Sequence, residues 1–378
     1  MLPDQQLLRI PGPTPIPPSV QRAMSQPMIG HRGTETKELL RRVKPRLNPI
    51  FGTEQDVLLI TGSGTAGLEA AVANTIHPGD EVLVIVTGAF GERFAKICEA
   101  YQAKTHRYQV EWGKAVSPAA IEEYFKKYSS IKAVFATFSE TSTGVLNPVQ
   151  ALAAVVHKNS DALFIVDGVS SVGGVEVKMD EWSIDILVTG SQKAMMLPPG
   201  LTLVALSEHA WQVIDNKKQP PFYLDLKKYR SLDSTPFTPA LPLLFGLEKV
   251  LELIEDEGLE QVFARHQLLM KMTRAAFRAL DIPLLTNDDS ASPTVTAVKP
   301  DDFDPEKLRS VLKQEFGLET AGGQQHMKGQ IFRIGHMGYC SPADILQTIS
   351  IIEISLRKIG NKVELGKGTR AAQEIYLG

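Results

Sequence analysis

Apolar positions along the chain follow two periods. Between Glu35 and Ile50, Leu39, Leu40, Val43 and Leu47 recur three and four apart, which predicts a helix with one buried face. Val57 to Ile60 is then a continuous apolar run stopped at Gly62, as in a strand buried on both faces. Leu68, Ala71, Val72 and Ile76 predict a helix from Ala66 to Ile76. His77-Pro78-Gly79-Asp80 reads as a turn, and Glu81 to Val86 as a second strand. The series continues with a helix from Phe94 to Ala103 and another from Val149 to Lys158. Further strands are expected from Ala133 to Phe138, Leu163 to Val166, Ile184 to Val188 and Leu201 to Ala205. Apolar strands alternating with helices predict an α/β fold, a parallel sheet covered on both faces. In such a sheet the strand-to-helix turns share one edge, where ligands bind.

After Pro242 the texture changes. Leu243 to Leu280 reads as one long amphipathic helix or two, with Gly258 as the break. Strands from Thr294 to Val298 and Ile331 to Ile334, and helices from Pro305 to Glu315 and Pro342 to Ile359, make an α+β second domain. At the other end, Pro3, Pro11, Pro13, Pro15, Pro17 and Pro18 oppose regular structure. That segment is either a frayed terminus or an arm lying over a site or on a second subunit. The expected division is an arm at 1–15, a large domain at 16–257 and a small C-terminal domain at 258–378.

Composition removes several function classes. The 378 residues are 43% hydrophobic and 22% charged with a net charge of −3, so no basic excess exists to bind nucleic acid or an anionic membrane. Two cysteines, Cys98 and Cys340, without a CxxC pair speak against a disulfide framework, an iron–sulfur cluster or a Cys-ligated zinc. No metal site is expected. Neither a basic leader nor an apolar run of ~18–20 residues is present, and the expectation is a cytoplasmic protein.

Three segments carry candidate chemistry. Gly62-Ser63-Gly64-Thr65-Ala66-Gly67 follows a strand and opens a helix. It matches the dinucleotide fingerprint, yet the second strand ends Val86-Thr87-Gly88-Ala89 without the acid that would meet a ribose. What remains is either a turn offering backbone N–H groups to a phosphate or a plain capped turn. Asp167 ends the strand Leu163-Phe164-Ile165-Val166, and Lys193 follows the strand Ile186-Leu187-Val188. Each alone is an ordinary loop residue. Together on one sheet edge they are what pyridoxal phosphate requires: a lysine for a Schiff base, an acid for the pyridinium nitrogen and a helix start for the phosphate.

The chain resembles the class V, fold-type I pyridoxal-phosphate aminotransferases, especially the serine/alanine–glyoxylate group. The likeness runs in order through Pro11-Gly12-Pro13-Thr14, Gly62 to Ala71, Gly88-Ala89-Phe90-Gly91, Glu140-Thr141-Ser142-Thr143-Gly144-Val145, Val166 to Ser171, Gly190-Ser191-Gln192-Lys193-Ala194, Pro198-Pro199-Gly200 and Arg333-Ile334-Gly335. It extends to bacterial proteins labelled as a soluble hydrogenase subunit, but two unpaired cysteines cannot hold a nickel–iron or iron–sulfur centre.

The resemblance implies a large domain with a mostly parallel central sheet, a smaller α+β domain and these roles. Lys193 carries the Schiff base and moves the proton, and Asp167 meets the ring nitrogen. Phe90 and Val169 lie on the two ring faces, and Thr141 lies near the ring oxygen. Ser63, Gly64, Thr65 and Gln192 hold the phosphate, joined by Thr235 and Thr238 from the partner in a homodimer with shared active sites. Arg333 takes the substrate α-carboxylate, with Gly12 beside it. His31 and Arg32 form a second substrate anion site or merely order the arm. The implied reaction passes an amino group from serine or alanine to glyoxylate or pyruvate. Phosphoserine or another acidic donor is the alternative, and an NAD-dependent oxidoreductase lies outside the class.

Overall fold

The computed structural model describes residues 6–378 except 129 and 232. The large unit runs α1 (Pro18–Met24), α2 (Thr34–Phe51), β1 (Val57–Thr61), α3 (Gly64–Thr75), β2 (Glu81–Val86), α4 (Ala89–Ala100), β3 (Lys104–Gln109), α5 (Pro118–Phe125) and β4 (Ile131–Thr137). It continues with α6 (Val149–Asn159), β5 (Leu163–Asp167), β6 (Ile186–Gly190), β7 (Leu201–Leu206), α7 (Glu208–Asp215) and α8 (Leu241–Glu257). Seven strands form one sheet in the order β1-β7-β6-β5-β4-β2-β3. β7 is antiparallel to both β1 and β6, and the remaining pairings are parallel.

The apolar runs explain this sheet. Successive side chains along a strand point to opposite faces, and here both faces are buried. Val57, Leu59, Leu83, Ile85, Phe164 and Val166 enter one core with α2, α6 and α8. Leu58, Ile60, Val82, Val84, Phe135 and Ile165 enter the other with α3, α4 and α7. Helix α3 lies close on the sheet because Gly67 lacks a side chain: a Cβ there would sit 2.5 Å from Thr202 Oγ1 and 2.6 Å from Val188. Register then aligns the ligand edge. Asp167 pairs with Val188 and Thr137, Gly190 with Thr202, and Thr61 with Leu201.

The rest is built around α9 (Leu259–Ala279), β8 (Val295–Val298), α10 (Pro305–Phe316), β9 (Ala321–Gly322), β10 (Phe332–Gly335), α11 (Pro342–Lys358) and α12 (Lys367–Leu377). The three strands form an antiparallel sheet ordered β8-β10-β9, and Leu269, Phe277, Leu308, Phe332, Ile349 and Leu356 belong to a third core. Gly258, at φ +85°, separates α8 from α9, so the Leu243–Leu280 segment is a helix pair.

Lys104–Gln109, which the pattern of apolar runs does not mark, is a strand at the sheet's edge, half-buried and parallel to β2. Charged side chains suit an exposed edge. The proline-rich segment also holds regular structure. Leu7–Leu8 pairs in parallel with Leu318–Glu319, with the N–H groups of Leu7 and Arg9 donating at 2.9 Å to Gly317 and Glu319 carbonyls. Leu7 and Arg9 lie between prolines and keep their donors, and Pro18 opens α1 in the first turn, where a missing N–H does no harm. Residues 1–5 of the expected arm, Pro3 among them, lie outside the described residues. Among the described residues no helix is long and apolar enough to cross a membrane.

Candidate active site

Strand β6 delivers Ser191, Gln192 and Lys193 to the sheet edge. The turn is fixed by Ser191, whose hydroxyl donates to the Pro198 carbonyl at 2.6 Å and whose N–H reaches the Leu201 carbonyl at 2.9 Å. Lys193 is 8% exposed, and its Nζ donates to the carbonyl of Pro11. Thr14 locks the same segment, its hydroxyl donating to the Lys193 carbonyl at 2.9 Å. The proline-rich arm therefore lies over the lysine of its own chain. Gly12 makes this approach possible: its φ is +125°, and a Cβ would stand 2.6–2.8 Å from the Lys193 side chain. Burial, with Arg333 second, lowers the Lys193 pKa from 10.5 to about 8, and Asp167 opposes the shift.

Asp167 closes β5. One carboxylate oxygen accepts the Val169 N–H at 2.9 Å. Burial raises its pKa from 3.8 to about 6, with Glu140 adding to the rise and Lys193 and Arg93 opposing it. The edge encloses a cavity of about 190 Å³. Ser63, Gly64, Thr65, Phe90, Thr141, Asp167, Val169, Gln192 and Lys193 all line it, so the structure brings nine predicted residues together. Ser63 precedes α3, and neither its side chain at the helix start nor the buried Gln192 Oε1 has a hydrogen-bond partner there among the described residues.

Arg333 stands in the middle of β10, 6% exposed. Its Nε and Nη2 donate to the Gly322 carbonyl at 3.0 and 2.7 Å, and its Nη1 to the Thr141 carbonyl at 3.0 Å. It has no acidic partner among the described residues. Burial lowers its pKa to about 10, with Glu140 opposing. A buried guanidinium held only by carbonyls next to a cavity-lining threonine is suited to receive a carboxylate.

Six predicted residues do not line this cavity: Arg333 and Gly12 abut its lining through Thr141 and Lys193, and Arg32, His31, Thr235 and Thr238 are engaged elsewhere or at least partly exposed. Arg32 donates to the carbonyls of Thr235 and Pro236 at 2.6 and 2.9 Å, so in this chain it ties the Gly30–Gly33 turn to the 234–239 loop. Thr235 is buried with its hydroxyl on the Phe237 carbonyl at 2.7 Å, Thr238 is exposed and His31 half-buried.

Sequence reasoning missed Arg93, Ser170 and Glu140. Ser170 shares a 2.6 Å hydroxyl hydrogen bond with Thr141. Glu140 is fully buried and accepts N–H groups of Phe90, Gly91 and Ser142, fixing the first turn of α4 and hence Phe90. Its place in the Glu140-Thr141-Ser142-Thr143 motif was the available signal.

The class V aminotransferase family model ("Aminotransferase class-V") matches residues 8–345. The chain belongs to that family. It is 35% identical over 381 residues to the L-aspartate–glyoxylate aminotransferase of Paracoccus denitrificans, covering 98% of this chain and 96% of the relative. It is 34% identical over 389 residues to a serine–glyoxylate aminotransferase of Methylorubrum extorquens, covering 99% and 96%. The crystal structure of ureidoglycine–glyoxylate aminotransferase from Bacillus subtilis superposes with a TM-score of 0.93 at 33% identity over the whole of both chains. Cys98 and Cys340 are both buried free thiols, pushed up to about 12 and about 11 mainly by burial, and no metal-ligating cluster occurs among the described residues.

Proposed function

We propose that the cavity holds pyridoxal 5′-phosphate and that the chain moves an amino group from serine or alanine to glyoxylate or pyruvate. One observation carries the reading: a buried lysine of lowered pKa, a buried carboxylate bonded to a backbone N–H and a helix start meet in a single cavity, beside an arginine that has no counterion among the described residues. The residues fit the cofactor. Ser63, Gly64, Thr65 and Gln192 hold the phosphate where the dipole of α3 favours negative charge. Asp167 pairs with the ring nitrogen, Phe90 and Val169 take the ring faces, and Thr141 lies by the ring oxygen. When bound, the cofactor supplies an aldehyde that exchanges amines and a ring that takes up the electron pair left at Cα.

The chain supplies the rest. Lys193 Nζ, uncharged above about pH 8, takes the Cα proton and gives it back, as a positioned general base and acid. Arg333 orients donor and acceptor alike, because both carry an α-carboxylate. The arm excludes water from Lys193. All three proteins compared above are named for glyoxylate, and one of them for serine. Another is named for aspartate, which favours an acidic donor as the second reading. The working unit is a cytoplasmic homodimer in which Thr235 and Thr238 serve the partner's phosphate site. Residues 16–257 and 258–378 are its large and small domains. A panel of serine, alanine, aspartate and phosphoserine against glyoxylate and pyruvate tests the substrates. Serine or alanine with glyoxylate is expected to give the highest kcat/KM; a higher value with aspartate or phosphoserine overturns that choice. Arg333→Ala is expected to lower kcat/KM roughly 10- to 100-fold for every pair.

A further inference from the structure

Among the residues lining the cavity, two carry a positive charge: Lys193 and Arg93. Lys193 is occupied by the Pro11 carbonyl. Arg93 is not paired with any acid among the described residues, although its neighbours are: Glu92 and Glu99 both go to Arg107. Its guanidinium has instead two specific contacts. Nη1 donates to the Thr65 hydroxyl at 3.3 Å, and the guanidinium carbon lies 4.7 Å from the centre of the Phe90 ring. Phe90 and Arg93 stand three apart on α4, so they share a helix face. The start of α4 is thereby joined, through Arg93, to the start of α3.

The charge balance gives this placement its meaning. A phosphate monoester carries close to two negative charges at neutral pH. Ser63, Gly64, Thr65 and Gln192 offer hydrogen bonds and a helix dipole, which amounts to about half a charge. None of them is a cation. Arg93 is exposed on its outer side and reaches inward to Thr65, a residue of the phosphate turn.

We infer that Arg93 is the cation of the phosphate site: it pairs with the cofactor phosphate beside Thr65 while its stem and plane hold Phe90 in place. This rests on the cofactor reading above and adds a residue to it. The assignment also accounts for Thr65. A hydroxyl bonded to a guanidinium is oriented with its lone pair occupied and its proton free to donate to an anion.

The test separates charge from packing. Full-length protein stripped of cofactor is titrated with pyridoxal phosphate and with pyridoxal, which lacks the phosphate, for the wild type, Arg93→Ala and Arg93→Lys. The readout is the ratio of the two affinities, so catalysis is not required. Arg93→Ala is expected to shrink the wild-type ratio about tenfold or more, since a hydrogen bond to a charged group is being removed. Pyridoxal affinity is expected to stay within about twofold, and Arg93→Lys to recover part of the ratio. Inorganic phosphate competes with pyridoxal phosphate in the wild type and more weakly in Arg93→Ala. An unchanged ratio overturns the inference and leaves the cofactor reading intact. So does an equal fall for both ligands, which assigns Arg93 to the packing of Phe90 alone. Wild-type protein that binds neither ligand overturns both.

Discussion

Asp167 and Lys193 are held in the same buried place, and each has its charged form disfavoured by burial. For Asp167 the folded pKa of about 6 lies above the ordinary 3.8. Its ionised form therefore destabilises the ligand-free fold fully above about pH 6. That penalty declines between pH 6 and 4 and is absent below, where both folded and unfolded forms are protonated. The shift corresponds to something on the order of 2–3 kcal/mol. Asp167→Asn keeps an acceptor for the Val169 N–H, so the ligand-free variant is expected to melt higher than the wild type at pH 7. The difference is expected to vanish by about pH 4, while cofactor affinity falls. Equal melting at pH 7 would contradict a carboxylate whose ionised form burial disfavours. At this scale the sequence showed the lysine, the aspartate and Arg333 because each follows or interrupts an apolar strand. Arg93 was illegible, since a single arginine on a helix face has no local signature. Glu140 was visible only as a member of its motif, and its part became clear where its carboxylate meets the N–H groups of Phe90, Gly91 and Ser142.

Among the elements, the strands buried on both faces were legible, with boundaries off by one or two residues. β3 was not, because its edge position permits Lys104, His106 and Arg107. The arm was legible as proline-rich but not as a cover. Its pairing at Leu7–Leu8 and its contact with Lys193 involve residues more than 180 positions away in sequence. Gly12 is where this cover is most sensitive. Gly12→Ala adds a methyl within 3 Å of the lysine side chain at a φ that favours glycine. The arm is then expected to lift. Lys193 loses its Pro11 partner, and the amine becomes more accessible to a small lysine-directed reagent. The overall melting temperature falls by only a few degrees, since the sheet and its cores are untouched. Unchanged labelling of Lys193 would show that the arm does not shield it.

The whole molecule leaves an aromatic surface open beside the 234–239 loop. Phe222 is 78% exposed, and both it and Tyr223 pack against Phe237. Apolar surface of this kind suits the interface that the proposed dimer requires, and Thr238 beside it lies outside its own chain's cavity. The protein is expected to sediment as a dimer, and Thr238→Ala to weaken cofactor affinity although it touches nothing in its own site. A monomer whose cofactor affinity is unaffected by Thr238→Ala would contradict the shared site.

The central claim is that Lys193 is the residue to which pyridoxal phosphate is attached. Borohydride reduction of the yellow protein, followed by peptide mass analysis, tests it most directly. A single pyridoxyl-phosphate adduct on the peptide containing Lys193, absent after Lys193→Ala, is the predicted result. No adduct, or one carried by a different lysine, would contradict the account.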